Sequence, residues 1–138
     1  MSKVAVIYWS GTGNTEAMAN AVADGAKAKG ADVDLLTPMD VKGVDAYAGV
    51  ALGCPAMGAE TLEEDEFEPM FNDIKLKLKG KKVALFGSYG WGGGEWMENW
   101  ERTCRGAGIN LVCDSVTANE APDADALAAC QALGGAIC

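Results

Sequence analysis

Apolar residues recur along the chain in two alternating rhythms. Short runs rich in Val, Ile, Leu and Ala predict strands at residues 4–8, 32–36, 48–52, 83–86 and 109–116. Helical spacing fills the segments between them. Residues 14–29 place Met18, Val22, Gly25 and Ala26 on one face, and Gly30 ends the helix. Residues 41–47 read as a short helix. A further helix starts near Phe67, tolerates Pro69 in its first turn and turns Met70, Phe71, Ile74 and Leu78 inward. Residues 95–106 carry Trp96, Met97, Trp100 and Cys104 on one face, and a last helix covers 123–137. Strand and helix alternating five times predict an α/β fold: a doubly wound, five-stranded parallel sheet with helices on both faces. The absence of a repeat or linker predicts a single domain over residues 1–138.

In such sheets ligands bind beyond the carboxyl ends of the strands, where the winding reverses. The loops after strands one, three and four are therefore the informative ones. The first is Ser10-Gly11-Thr12-Gly13-Asn14-Thr15. Its glycines let successive N–H groups converge, and the helix N-terminus adds partial positive charge. Ser10, Thr12 and Thr15 bring hydroxyls and Asn14 an amide, so the loop reads as a cradle for a terminal monophosphate. It holds no Lys or Arg. It lacks GxxxxGK[ST], and Glu16 stands where the third glycine of GxGxxG belongs. Nucleoside triphosphate hydrolysis and dinucleotide binding are both unsupported.

After strand three comes Gly53-Cys54-Pro55-Ala56-Met57-Gly58-Ala59-Glu60. Met57 suits the face of an aromatic ring. Gly58 supplies the positive φ that a type II turn needs, so the Met57-Gly58 peptide can present C=O or N–H to a neighbour. Glu60 is placed to accept an N–H from a heterocycle edge. Glu63, Glu64, Asp65, Glu66 and Glu68 follow. They read either as the start of a helix, where carboxylates are favoured, or as a docking face. After strand four, Gly87-Ser88-Tyr89-Gly90-Trp91-Gly92-Gly93-Gly94 sets two aromatics among glycines, an arrangement suited to stacking on a ligand. Trp96 and Trp100, at helical spacing, read as core. Trp9 either lines the site or packs beneath it.

Composition narrows the classes further. The net charge of −9 disfavours nucleic acid and anionic lipid and steers basic partners towards the chain. No apolar stretch is long enough for a membrane span, and the start is too short for a signal sequence, which predicts a cytoplasmic protein. The five cysteines form no CxxC pair, so zinc and iron–sulfur frameworks have no support. Histidine is absent. No metal site is predicted.

Three segments carry a family resemblance: Tyr8-Trp9-Ser10-Gly11-Thr12-Gly13-Asn14-Thr15, Gly53 to Gly58, and Leu85-Phe86-Gly87-Ser88-Tyr89-Gly90-Trp91-Gly92. The chain resembles the short-chain, clostridial-type flavodoxins along essentially its whole length. The strand order 2-1-3-4-5, with FMN at the switch point, is taken over from that family. The long insertion that splits the last strand of long-chain members looks absent. The resemblance implies an electron-transfer protein, not an enzyme. It would bind one FMN and shuttle single electrons at low potential through a stabilised neutral semiquinone. Its redox partners would be those otherwise served by ferredoxin; the net charge adds basic docking patches on them, and a monomer is the default expectation. The resemblance further implies that Ser10, Thr12, Asn14 and Thr15 hold the phosphate with the N–H groups of Gly11 and Gly13. Met57 and Trp91 would cover the two flavin faces, and Glu60 would accept from N3–H. Pro55, Ala56, Gly58, Ser88, Tyr89, Gly90 and Gly92 would complete the ring and ribityl site. Ala59 departs from relatives with an acidic residue there.

Two alternative readings compete with this one. An FMN-dependent reductase of quinones or nitro compounds needs room above the flavin, which Trp91 would fill. A response-regulator receiver domain needs an acidic pair, an aspartate and a lysine where this chain has Ser10-Gly11, Cys54-Pro55 and Ser88-Tyr89.

Overall fold

A computed structural model describes residues 3–11, 13–57, 62–90 and 94–138. Strand β1 (Lys3–Tyr8) lies between β2 (Asp32–Leu36) and β3 (Gly49–Gly53), all parallel. Next to β3 comes β4 (Lys82–Tyr89), then β5 (Asn110–Leu111), giving the order β2-β1-β3-β4-β5. The period-2 alternation of strands divides the core cleanly. Val4 and Val6 of β1, Ala51 of β3 and Ala84 and Phe86 of β4 face α1 (Asn14–Ala28) and α4 (Ala124–Ala136). Ala5 and Ile7, Val50 and Leu52, and Val83 and Leu85 face α2 (Phe67–Ile74) and α3 (Glu95–Gly106). Trp96 and Trp100 are buried in that second layer, and Trp100 meets Phe67 and Phe71 edge-on at 5.5 and 6.0 Å.

The sequence pattern and the structure part at three places. No helix forms over residues 41–47. A 3-10 turn at Pro38–Asp40 precedes an extended stretch in which Gly43 has φ 151, far from helical values. Val44 is still buried, and Tyr47 donates its hydroxyl to Asp34 at 2.6 Å. Strand β4 runs on to Tyr89, three residues past the expected end. Gly87 permits this, because a Cβ there would lie 2.2 Å from the Cys54 carbonyl oxygen.

The fifth strand is interrupted. Its second half, β6 (Val116–Asn119), also pairs with β4. Leu111 sits opposite Val83 and Val116 opposite Phe86, so residues 112–115 span only two positions of β4. This is a bulge, in which the longer side must loop out. Ser115 fastens it by donating to the Glu101 carboxylate at 2.7 Å.

Candidate functional site

The loop after β1 is held from both sides. The Trp9 N–H donates to the Gly53 carbonyl at 3.0 Å, extending the ladder one residue past β1. Gly13 caps α1 with φ 93, a conformation that glycine adopts without strain. The N–H groups of Gly13 and Glu16 both donate to Ser10 Oγ, at 3.1 and 3.2 Å. Backbone donors in this loop therefore converge on a single oxygen. Asn14 and Thr15 open the helix, where N–H groups have no acceptor within the helix itself. The donors are neutral, as an anion cradle built from dipoles requires.

Thr15 is buried, and its hydroxyl pairs with that of Ser88 at 2.9 Å. This contact joins the cradle to the far end of β4. The loop after β3 lies along the same strand end. The N–H groups of Cys54 and Ala56 donate to the carbonyls of Phe86 and Ser88, at 3.2 and 2.9 Å, and Trp96 Nε1 donates to the Cys54 carbonyl at 3.2 Å. Burial pushes the Cys54 thiol up to about 12, so it stays protonated. Asn14, Pro55, Ala56, Ser88, Tyr89 and Gly90 thereby come together around a cleft of about 470 Å³. Its size falls in the usual range for a small-molecule site. The Tyr89 ring lies 5.6 Å from that of Trp96, tilted by 48°. Met57 is half-buried at the end of the described part of its loop. Thr12, Gly58, Ala59, Glu60, Trp91 and Gly92 lie outside the described residues.

Trp9 turns out to pack beneath the cradle on the β2 side. A Cβ on Gly11 would sit 3.0 Å from its ring, and its Nε1 donates to the Glu66 carboxylate at 3.2 Å. It borders a second cleft, of about 460 Å³, with the cradle's own Ser10, Gly11 and Gly13 and with Tyr8, Glu16, Thr37 and Pro38. Tyr8 donates its hydroxyl to Glu16 at 3.2 Å; burial, then Glu16, pushes the phenol up.

The acidic run separates into different roles. Glu63 is buried, and its carboxylate accepts the N–H groups of Asp65, Glu66 and Phe67, each at 2.8 Å. It tethers the start of α2. Glu64 and Asp65 are exposed. The sequence brings Glu120 towards the site after the last strand but assigns it no role; with Ala121, which no motif singles out, it completes the wall of the cleft at the end of β4. The rule that ligands gather beyond strand ends also points to them, because they follow the last strand directly.

The sheet, its switch point between β1 and β3, and the neutral cradle there define a mononucleotide-binding α/β protein. The family model described as Flavodoxin matches residues 6–134. The flavodoxin of Megasphaera elsdenii is 51% identical over 123 residues, covering 87% of this chain and 88% of that one. The flavodoxin of Clostridium beijerinckii is 47% identical over 121 residues, covering 86% and 87%. A solution structure of two-electron reduced Megasphaera elsdenii flavodoxin superposes with a TM-score of 0.86 at 48% identity, over 97% of each chain. The chain belongs to the flavodoxin family. It is an FMN-binding electron carrier, not a substrate-converting enzyme, and it exchanges electrons with redox partners. Neither the reductase nor the receiver-domain reading is favoured. Among the described residues, no helix is long and apolar enough to cross a membrane.

Proposed function

We propose that the loop at residues 10–15 grips the FMN phosphate and that the ring lies in the cleft beside it. The convergence of the Gly13 and Glu16 N–H groups on one oxygen carries this reading, and Asn14 of the same loop lines that cleft. Ser10, Thr12, Asn14 and Thr15 donate to the phosphate with the N–H groups of Gly11 and Gly13. Pro55, Ala56, Ser88, Tyr89, Gly90 and Gly92 line the ring and ribityl chain. Met57 covers one ring face and Trp91 the other, excluding water. Glu60 accepts the N3–H, and the Met57-Gly58 peptide presents its carbonyl towards N5. Bound FMN supplies the one-electron chemistry.

The whole chain, residues 1–138, acts as a single domain and a monomer in the cytoplasm. Its partners are ferredoxin-type donors and acceptors with basic docking patches. The net charge of −9 and the exposed carboxylates of Glu64 and Asp65 support that choice.

Anaerobic reductive titration followed by absorbance tests the function. One FMN per chain should be reduced in two resolved one-electron steps. A single two-electron step, or protein that stays colourless in excess FMN, would refute it. Thr15→Val tests the phosphate site. Losing one hydrogen bond to a charged group should weaken FMN binding by about tenfold. Riboflavin, which lacks the phosphate, should bind both proteins alike. Equal losses for the two ligands in fluorescence titrations would mean that Thr15 acts only through Ser88.

A further inference from the structure

Charge is spread unevenly over this acidic chain. Five of its 11 lysines and arginines lie within residues 75–82, a stretch with no carboxylate. That stretch runs from the end of α2 through a 3-10 turn, Lys75–Leu78, to the start of β4. Lys81 and Lys82 are engaged there: their Nζ atoms donate to the carbonyls of Tyr47 and Cys138, each at 2.6 Å. Lys75, Lys77 and Lys79 are paired with no carboxylate among the described residues. The end of α3 joins them. The Lys79 stem crosses Gly108, where a Cβ would lie 3.0 Å from Lys79 Cε. Burial pushes the Cys104 thiol up to about 12, Glu101 adds to the push, and Arg105 and Lys75 oppose it, so both cations lie near one buried residue. Between Lys75 and Lys77, Leu76 is 67% exposed.

Unpaired cations around an exposed leucine suit a surface that is acidic at its rim and apolar at its centre. A bilayer fits less well, because an extended anionic wall would also face the rest of a chain of net charge −9. We propose that Lys75, Lys77, Lys79 and Arg105, with Leu76 among them, form a docking surface for an acidic protein partner. The length of β4 separates this surface from the cleft described above. Lys82 starts the strand, and Tyr89, at the cleft, ends it. Its 8 residues span about 23 Å. A partner seated where α2 and α3 end therefore leaves the cleft open. Basic partners drawn to Glu64 and Asp65, which precede α2, meet the other end of that helix. The inference goes beyond the FMN reading and does not depend on it.

The probe is a short synthetic peptide of glutamates around a central leucine, added to FMN-loaded protein and followed by amide chemical shifts. Shifts should gather at residues 75–79 and 105–108, and binding should weaken as salt rises. Lys75→Gln and Lys79→Gln should each weaken it by about twofold to fivefold. Leu76→Asn should weaken it by about fivefold to tenfold. Lys27→Gln, on the layer of α1 and α4, should leave it unchanged, and saturating peptide should leave the flavin absorbance as it was. Shifts at residues 88–90 in place of 75–79 would overturn the proposal. So would an equal loss in Lys27→Gln and Lys79→Gln, or full affinity in Leu76→Asn. Two further results would overturn it by changing the occupant. Cosedimentation with phosphatidylserine vesicles, abolished by Lys75→Gln and Lys79→Gln, would assign the surface to a membrane. Self-association of the parent, abolished by the same variants, would assign it to a second copy of this chain.

Discussion

Gly134→Ala is expected to lower the free energy of unfolding by about 3 kcal/mol, with Gly25→Ala close behind. Helix propensity alone predicts the opposite sign, since alanine is favoured over glycine in a helix interior by about 1 kcal/mol. Contact decides the matter. A Cβ on Gly134 would lie 2.0 Å from the Val22 carbonyl oxygen and 2.9 Å from the Ala26 nitrogen. A Cβ on Gly25 would lie 1.9 Å from the Gln131 carbonyl oxygen. Each glycine faces the backbone of the opposite helix, so no side chain can rotate out of the way. Relief requires α1 and α4 to move apart, which loosens the layer of Val4, Val6, Ala51 and Ala84 beneath them. The double variant should cost less than the sum, because the first substitution already makes room for the second. Urea midpoints at constant slope would measure this. A Gly134→Ala protein as stable as its parent would show that the two helices are not tightly coupled.

The second large effect is expected at Glu63. Glu63→Ala removes the acceptor for three N–H groups, two of them on residues leading into α2, and leaves these partly buried donors unpaired. The expected loss is about 2–3 kcal/mol. Glu63→Gln keeps the shape and one oxygen and should recover part of it. The pH dependence has a definite sign. Burial pushes the Glu63 carboxyl up, but the N–H bonds from Phe67, Glu66 and Asp65 outweigh it and hold the group below its ordinary value. A group lowered in the folded state stabilises fully above the unfolded carboxylate range. That contribution fades as pH falls through the folded value. The stability gap between the parent and Glu63→Gln should thus be widest at neutral pH and narrow below about pH 4.3. A gap that stays constant from pH 7 to pH 3 would contradict the assigned role.

Much of the architecture was legible in the chain because it rests on local rules. The alternation of Val4, Ala5, Val6 and Ile7 reflects a strand buried on both faces, and the structure sorts these residues onto opposite layers as a period of two demands. The hydroxyl-rich glycine loop before Asn14 follows equally from what a strand-to-helix turn needs. The features that escaped depend on partners distant in sequence. Gly87 reads as loop, yet it extends β4 because Cys54 passes too close for any side chain. In the acidic run, no local signal separates Glu63 from Glu64. Only the fold buries one carboxylate against three amides. The short helix at residues 41–47 failed where Gly43 leaves helical values and too few residues remain to nucleate one. The break in the fifth strand did leave a trace. Asp114-Ser115 is a turn-forming pair between Cys113 and Val116, and the apolar residues around it hid the signal.

That break is also a seam. Its two flanks, Leu111 opposite Val83 and Val116 opposite Phe86, are each anchored independently to β4. Polypeptide added at Cys113-Asp114 would lengthen an arc that already stands off the neighbouring strand and would leave in place the Val112 N–H bond to the Val83 carbonyl and the Val116–Phe86 pair. Lengthening a loop costs little closure entropy, about 0.6 kcal/mol per doubling. The outer edge of this sheet can therefore grow at residues 113–114 while the cradle after β1 stays as it is.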